Sequence, residues 1–184
     1  MGNKTRNNNL FVPMDYFSKL MCGVVAPDKL IWGQKLVFPR KYNNITAGFK
    51  DESPGYWLSK GDRSWSSTHY GTDFGKSDGL GGLDTNLYAL GVGTVIRRVW
   101  NHDMGNILQV LYENVLMPDN SKKDIVALYA HLERPSDFVE GSSVYISETL
   151  IAVIGGTGEY GGGVVNSHLH LELADYNVTV DHDR

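Results

Sequence analysis

The sequence predicts an all-β fold, built mainly from an antiparallel sheet with long loops that form a groove. From Leu30 onward, short apolar runs are separated by Gly, Asn, Asp and Ser, and no helical period lies between them. Short strands at this spacing favour antiparallel pairing over a βαβ arrangement. The 21 glycines among 184 residues agree with tight turns between many short strands.

The N-terminal part of the chain differs from the rest. We divide the chain into a lead or attachment segment, residues 1–43, and a domain over residues 44–184. Within the lead, we predict a short helix from Pro13 to Cys22, because proline is favoured at the first position of a helix and Gly23 is favoured just after its end. A helix this short is unstable alone, so we expect it to dock on another part of the protein.

Ten apolar segments carry the strand prediction, and four polar or Gly-rich stretches separate some of them. The candidate strands are Leu36–Phe38, Asn44–Phe49, Thr72–Phe74, Leu87–Ala89, Gly93–Trp100, Asn106–Tyr112, Asp124–Leu132, Val144–Ile146, Leu150–Ile154 and His168–Ala174. The candidate loops are Asp51–Ser67, Gly75–Asn86, Glu113–Lys123 and Gly155–Ser167. Long loops are uncommon in compact domains unless they serve a function, so we expect them to wall a groove.

Composition and charge argue against several classes of protein. The 17 basic and 21 acidic residues give a net charge of −4, which argues against a nucleic-acid-binding protein. The apolar runs are far shorter than a membrane span. The single cysteine, Cys22, excludes an internal disulfide and a cysteine-based zinc finger. Pro13, Asp15 and Lys19 interrupt the N-terminal apolar stretch, so it is not a convincing export signal.

The segment Asn166–Ala174, NSHLHLELA, alternates strictly between polar and apolar side chains. On a strand, the three leucines face one side and His168, His170 and Glu172 face the other. Burial of the leucines in a core therefore turns both imidazoles to the opposite face, close to each other.

The segment Thr68–Gly75, THYGTDFG, places His69 and Asp73 four residues apart. In an extended strand their α-carbons would be roughly 13 Å apart, so we infer a bend at Gly71 that brings imidazole and carboxylate together. Two nitrogen ligands and one carboxylate, with the fourth position left to water, are typical of catalytic zinc. The candidate ligands are His69, Asp73 and one histidine of the NSHLHLELA pair.

The remaining histidines divide into one candidate and two surface residues. His131 ends the apolar segment VALYAHLE and, beside a metal site, becomes a candidate acid–base group. We expect Glu172 to fix a neighbouring ligand or to lie in solvent. His102 and His182 have no partners in the pattern, and we expect both at the surface.

These motifs occur in the order His-x-x-x-Asp, Tyr-Ala-His-Leu, Gly-x-Thr-Gly and His-Leu-His-Leu-Glu. In this combination the sequence resembles the lysostaphin/LytM-type zinc metalloendopeptidases, which cut peptidoglycan peptides. The resemblance covers about residues 44–174 and includes Tyr88–Val95, YALGVGTV, and Glu140–Gly158.

The resemblance assigns roles to five side chains. It implies one zinc ion per chain, held by His69, Asp73 and His170. It implies catalysis by His131 and His168, one of which acts as general base. Zinc lowers the pKa of a bound water from about 15.7 toward about 7 and polarises the scissile carbonyl, while histidines transfer the protons.

The resemblance also implies peptidoglycan peptides as partners, in the cross-bridge or the stem peptide, and an extracellular or wall-facing location, secreted or virion-associated. Two alternatives stay open. One is a phage virion-associated tail component that degrades the wall and contacts other virion proteins, which the weak export signal favours. The other is a non-catalytic wall-binding regulator of the same fold, which we expect to lack some of the five residues, whereas all five are present.

Overall fold

The structure, a computed structural model, describes residues 10–11, 33–40, 45–47, 69, 71–78, 80–146 and 149–176. None of these residues lies in a helix, which confirms the all-β prediction, and none therefore belongs to a helix that could cross a membrane. The predicted helix from Pro13 to Cys22 lies outside the described residues. The strands are β1 (Leu10–Phe11), β2 (Gly33–Gln34), β3 (Ile45–Ala47), β4 (Thr72–Gly75), β5 (Asn86–Tyr88), β6 (Gly93–Asn101), β7 (Gly105–Leu116), β8 (Lys122–Leu132), β9 (Ser143–Val144), β10 (Leu150–Val153) and β11 (His168–Asp175).

A main sheet and a small sheet make up the fold. The main sheet runs in the order β1–β2–β7–β8–β11–β4–β3, and β6 pairs with β7 and with β9. Strands β5 and β10 form the small two-stranded sheet. The described pairs are antiparallel except β2 with β7, where Gln34 lies opposite Val115, so the predicted antiparallel character is confirmed.

The hydrophobic core joins one face of the main sheet to the small sheet. Leu108, Tyr129 and Leu169 come from the main sheet, Leu87 and Ile151 come from the small sheet, and all five are at most 1% exposed. Full burial of an apolar side chain of this size contributes about 1.5–3 kcal/mol relative to leaving it exposed. This packing determines which face of β11 lies against the core.

A β-bulge near the end of β8 interrupts the alternation of its side chains. Between the residues that pair at Tyr129 and Leu132, β8 has two residues, Ala130 and His131, where β7 has one. His131 has a φ of 59°, and its N–H donates to Met104 O at 2.9 Å. Because Tyr129 and Leu132 both pack in the core, the bulge turns His131 to the opposite face, beside Ala130.

The strand predicted at Leu36–Phe38 is wrong, since the strand in this region is Gly33–Gln34. Two backbone hydrogen bonds join this region to the end of β5 and the residues after it: the Val37 N–H donates to Leu90 O, and the Tyr88 N–H donates to Pro39 O. Pro39 follows and has no N–H with which to continue a ladder.

The loop predicted at Glu113–Lys123 is also wrong for most of its length. Strand β7 continues to Leu116, and β8 begins at Lys122. A second bulge accommodates the polar residues that suggested a loop, because Asn114 has a φ of 54° and its N–H donates to Asp124 Oδ1. Such a bulge lets Glu113 and Asn114 remain in β7 while β7 and β8 stay paired on either side of them.

Two other predicted loops lie where the sequence places them. Residues 76–78 and 80–85 connect β4 to β5, and residues 155–167 lead into β11. The predicted loop Asp51–Ser67 lies outside the described residues. The remaining strand predictions agree with the structure to within a few residues at each end.

Residues 33–40 of the predicted N-terminal lead contact the main sheet and its loops. The Gln34 amide accepts a hydrogen bond from Val92 N and donates one to Val92 O. Arg40 is 1% exposed, and its guanidinium donates to the carbonyl of Gly75, at the end of β4. The lead therefore touches the domain at these points, and the boundary after residue 43 stays a prediction.

Candidate metal centre

Three neighbouring strands place the candidate site, with β11 between β8 and β4. His170 lies opposite Asp73 on β4 and opposite Ala130 on β8. Leu169 and Leu171, on either side of His170, belong to the core. The imidazole of His170 therefore points to the other face of the sheet, as the alternation predicts.

The alternation fails at the far end of β11. The pattern predicts Leu173 in the core with the other two leucines, but this residue is 55% exposed. Strand β4 pairs with β11 only from His168 to Leu171. Leu173 thus lies on the end of β11 that β4 does not flank, and its side chain reaches solvent.

Three side chains converge on the face of the sheet opposite the core. Asp73 Oδ1 lies 2.8 Å from His170 Nδ1 and 3.1 Å from His69 Nε2, and the two nitrogens are 3.1 Å apart. The three side chains are only 7–9% exposed. We call His69, Asp73 and His170 the metal group.

Gly71 makes room for the metal group. The chain bends at Gly71 just before β4 and brings His69 back beside Asp73, as predicted. A Cβ at Gly71 would lie 2.6 Å from His170 Nε2, closer than real Cβ contacts come. Glycine here therefore permits the close approach of the imidazole.

The metal group fits a zinc ion. Nitrogen and carboxylate oxygen are zinc ligands, and three protein ligands with one open position are typical of catalytic sites. Ligand atoms of a tetrahedral zinc, each about 2.0 Å from the ion, are about 3.3 Å apart. The three ligand atoms here are 2.8–3.1 Å apart.

The electrostatics of the metal group favour a cation. Burial opposes ionisation of Asp73, but hydrogen bonds from His170 and His69 outweigh it and hold the pKa of this carboxyl well below its usual range. Burial lowers the pKa of His170, but hydrogen bonds to Asp73 and Glu172 outweigh this effect and raise it to about 9. The carboxylate oxygen of Asp73 can only accept, and so can a histidine nitrogen that carries no proton. A proton or a metal cation must therefore lie among the three atoms.

Glu172 holds His170 from the other side of its ring. Glu172 Oε1 lies 2.8 Å from His170 Nε2, and the Glu172 residue is 8% exposed. The Nε2–H donates to this carboxylate, which leaves Nδ1 free to face the metal group. Metal-ligating histidines commonly donate their second ring N–H in this way. Of the two placements expected for Glu172, beside a ligand or in solvent, the structure has the first.

His131 and His168 lie next to the metal group. Their ring centroids are 4.8 Å apart, and the His131 centroid is 6.1 Å from that of His170. His168 Nε2 lies 3.7 Å from Asp73 Oδ2. The structure thus brings all five residues named from the sequence together, while their roles in metal binding and catalysis stay predictions.

The environment of His131 favours a neutral imidazole. Burial, with a further contribution from the neighbouring His168, lowers the pKa of His131 to about 4. At neutral pH the ring therefore carries one N–H and one nitrogen that can accept a proton.

The sequence prediction missed the backbone carbonyls that hold these two imidazoles. His131 Nδ1 donates to Thr157 O at 2.9 Å, and His168 Nδ1 donates to Asn166 O at 3.0 Å. A carbonyl leaves no trace in the residue type, although Thr157 belongs to the Gly-x-Thr-Gly motif.

His102 lies at the surface, as expected, with its side chain 83% exposed. Its Nδ1 is 3.0 Å from Asp103 Oδ1 and 3.4 Å from Glu159 Oε2, and these contacts, the first above all, raise the pKa of His102. These three side chains form a second ionic cluster, more exposed than the metal group and sharing none of its residues. His182 lies outside the described residues.

Comparison with known proteins identifies the fold. No family model matches the sequence, and no curated protein matches it. A zinc-containing peptidase from Vibrio cholerae is 22% identical, with a TM-score of 0.52 over 79% of this chain and 41% of that chain. The chain thus spans less than half the length of that peptidase.

Two further solved structures are similar. A chain of the SpoIIQ–SpoIIIAH pore-forming complex is 16% identical, with a TM-score of 0.55 over 77% of this chain and 84% of that chain. LytU is 24% identical, with a TM-score of 0.48 over 75% of this chain and 77% of that chain. At these identities the likeness concerns the fold, which a zinc-containing peptidase and a pore-forming complex both use. The chain therefore shares the fold of that zinc-containing peptidase, which confirms at the level of fold the resemblance found in its motifs.

Proposed function

We propose that this chain is a zinc-dependent endopeptidase that hydrolyses peptide bonds of bacterial peptidoglycan, in the cross-bridge or the stem peptide. One observation supports it above all: a buried His–Asp–His group lies beside two further imidazoles, on the face of the sheet opposite the core. The order of the sequence motifs, which resembles that of lysostaphin/LytM-type enzymes, supports peptidoglycan as the substrate.

In this proposal His69, Asp73 and His170 hold one zinc ion per chain. Zinc bound there supplies Lewis-acid chemistry, which lowers the pKa of a water ligand and polarises the scissile carbonyl. Glu172 fixes the tautomer of His170, and the Asp73 carboxylate stays ionised because of its hydrogen bonds from the two histidines. The protein thus presents a ligand set whose geometry is already assembled.

His131 and His168 transfer the protons of the hydrolysis. With Nδ1 of each ring donating to a backbone carbonyl, Nε2 is the atom available to a reacting group. One Nε2 accepts a proton from the attacking water as its oxygen adds to the carbonyl carbon. A proton is then delivered to the amine nitrogen as the C–N bond breaks, so that the peptide leaves as a carboxylate and an amine.

A digestion of purified cell-wall sacculi tests the proposal. We expect the protein to release new amino termini, which mass spectrometry of the muropeptides assigns to the cross-bridge or the stem peptide. A chelator should abolish this release, and added zinc should restore it. Protein that binds sacculi but releases no amino termini with zinc present would instead be a non-catalytic wall-binding regulator.

The alternative of a phage tail component differs in location and partners. Its test is co-purification of the chain with virions, together with the other virion proteins that it would contact. A secreted enzyme would be found in the medium or on the wall without virions. The wall-facing location itself is part of the proposal.

A further inference from the structure

We propose that the loop of residues 155–167, called here the carbonyl loop, fixes the tautomer of both proton-transferring imidazoles, and that Thr157 is its main positioning residue. This inference rests on the proposed function for its catalytic consequence. The tautomers themselves are a property of the folded protein and can be measured without any substrate.

The two ends of the carbonyl loop each hold one imidazole. Near its start, Thr157 O accepts a hydrogen bond from His131 Nδ1 at 2.9 Å. Near its end, Asn166 O accepts one from His168 Nδ1 at 3.0 Å. A carbonyl oxygen can only accept, so both Nδ1 atoms carry a proton, and in the neutral form of each ring Nε2 then holds a lone pair.

This arrangement is the reverse of that at the metal group. His170 faces the metal group with Nδ1, because Glu172 accepts from its Nε2. His168 instead directs Nε2 toward the metal group, 3.7 Å from Asp73 Oδ2. The hydrogen-bond partner of each ring thus determines which ring nitrogen faces the metal group. It distinguishes the metal ligand His170 from the proton-transferring His168.

The hydroxyl of Thr157 connects the carbonyl loop to β8, which carries His131, and to the neighbouring β7. Thr157 Oγ1 donates to Leu132 O at 2.8 Å and accepts from Asn106 N at 3.0 Å. Leu132 is the residue directly after His131, and Gly155 N, also in the loop, donates to His131 O at 3.0 Å. The loop therefore holds the backbone of His131 as well as its ring.

His131 needs such support because of its backbone. Its φ of 59° is uncommon for a residue with a side chain, and such conformations persist where surrounding contacts over-determine them. The contacts of Thr157 with the ring of His131 and with the carbonyl of Leu132 supply part of this constraint.

The loop also braces itself internally. Gly163 N donates to Gly156 O at 3.2 Å, and Asn166 N donates to Gly162 O at 3.2 Å. A Cβ at Gly156 would lie 1.9 Å from Gly163 O, so only glycine allows the two arms of the loop to meet. These contacts connect the arm of the loop that carries the Thr157 carbonyl to the arm that carries the Asn166 carbonyl.

The experiment compares Thr157→Val with Thr157→Ser in the zinc-loaded protein. Valine keeps the shape of threonine but loses the hydroxyl, whereas serine keeps the hydroxyl. Thr149→Val is the matched control, because the Thr149 hydroxyl accepts a hydrogen bond from Tyr145 N in the turn between β9 and β10. Nitrogen-15 NMR of the histidine side chains reports the tautomers, zinc content reports the metal group, and peptide cleavage gives kcat and KM.

In the wild-type protein at pH 8 we expect the Nδ1–H tautomer at both His131 and His168. Thr157→Val should give a mixture of tautomers at His131 and lower kcat about 10- to 100-fold, the scale of a misplaced catalytic group, with KM and zinc content unchanged. Thr157→Ser and Thr149→Val should match the wild type in both tautomers and kcat.

Two results would overturn the inference. One is an Nε2–H tautomer at His131 or His168 in the wild type, a measurement that stands even if Thr157→Val does not fold. The other is Thr157→Val with the wild-type His131 tautomer, whether its kcat is unchanged or falls only together with zinc content. A wild-type protein that shows both Nδ1–H tautomers but cleaves no peptide would refute the proposed function and leave the tautomer assignment standing.

Discussion

His131, His168 and His170 each present one particular ring nitrogen to the site, and a neighbouring acceptor sets the choice. Behind His170 the acceptor is the Glu172 carboxylate, and behind His131 and His168 it is a backbone carbonyl. A carboxylate also makes a ligand more basic, whereas a neutral carbonyl fixes the ring without adding charge. The same side-chain type is thus prepared for two different tasks by what lies behind it.

Removal of the Glu172 carboxylate should weaken zinc binding without removing a ligand. We expect Glu172→Ala to lower zinc affinity about 10- to 100-fold, because His170 loses the partner that fixes its tautomer. Glu172→Gln keeps an acceptor oxygen and should lose less. A competition titration with a zinc chelator measures the affinity, Glu140→Ala on an exposed position is the control, and wild-type affinity in Glu172→Ala would contradict the role.

Removal of either proton-transferring imidazole should separate catalysis from metal binding. We expect His131→Ala and His168→Ala to keep zinc but to lose at least roughly a hundredfold in cleavage rate, the scale of acid–base groups. The exposed His102→Ala is the control and should cleave at the wild-type rate. The assay is release of amino termini from sacculi, and full activity in either site variant would refute its part in proton transfer.

At the scale of elements, β11 delivers the site because its alternation is anchored by the core on one face. Leu169 is fully buried, whereas Leu173 is 55% exposed at the end that β4 does not flank. We expect Leu169→Ala to lower the free energy of unfolding by about 2–5 kcal/mol. Leu173→Ala should change it by no more than about 0.5 kcal/mol.

Urea unfolding followed by circular dichroism measures both leucine variants under the same conditions. Similar losses for the two would show that the core does not end between Leu169 and Leu173 as described. Because Leu169 is a neighbour of both His168 and His170, zinc content of the folded variant reports whether the core also sets the site.

The sequence allowed β11 and its polar face to be predicted, but not the face of the sheet on which the His131 side chain lies. Alternation in NSHLHLELA is local, so the side of His170 and Glu172 follows from the pattern alone. His131 reaches the same face only through a bulge against β7, which depends on a pairing between distant segments. Similarly, Glu113 and Asn114 suggested a loop because a bulge within a long strand uses the same polar residues as a turn.

At the scale of the whole molecule, contacts far apart in sequence assemble the site. His69 and His170 are 101 positions apart, yet their nitrogens are 3.1 Å apart because β4 and β11 pair directly. The motif order allowed this group to be predicted through its resemblance to a family, whereas spacing alone left His168 and His170 equivalent. The contacts of Arg40 with the end of β4 carried no comparable signal, since a buried arginine cannot be distinguished from an exposed one in a single sequence.

The zinc content of the purified protein tests the central claim most directly. After equilibration with zinc and removal of the excess, elemental analysis should give one zinc per chain for the wild type. It should give little or none for His69→Ala, Asp73→Ala and His170→Ala. Circular dichroism should show that each of these variants is folded. A wild-type chain without zinc, or a His170→Ala chain that retains one full equivalent, would contradict the account.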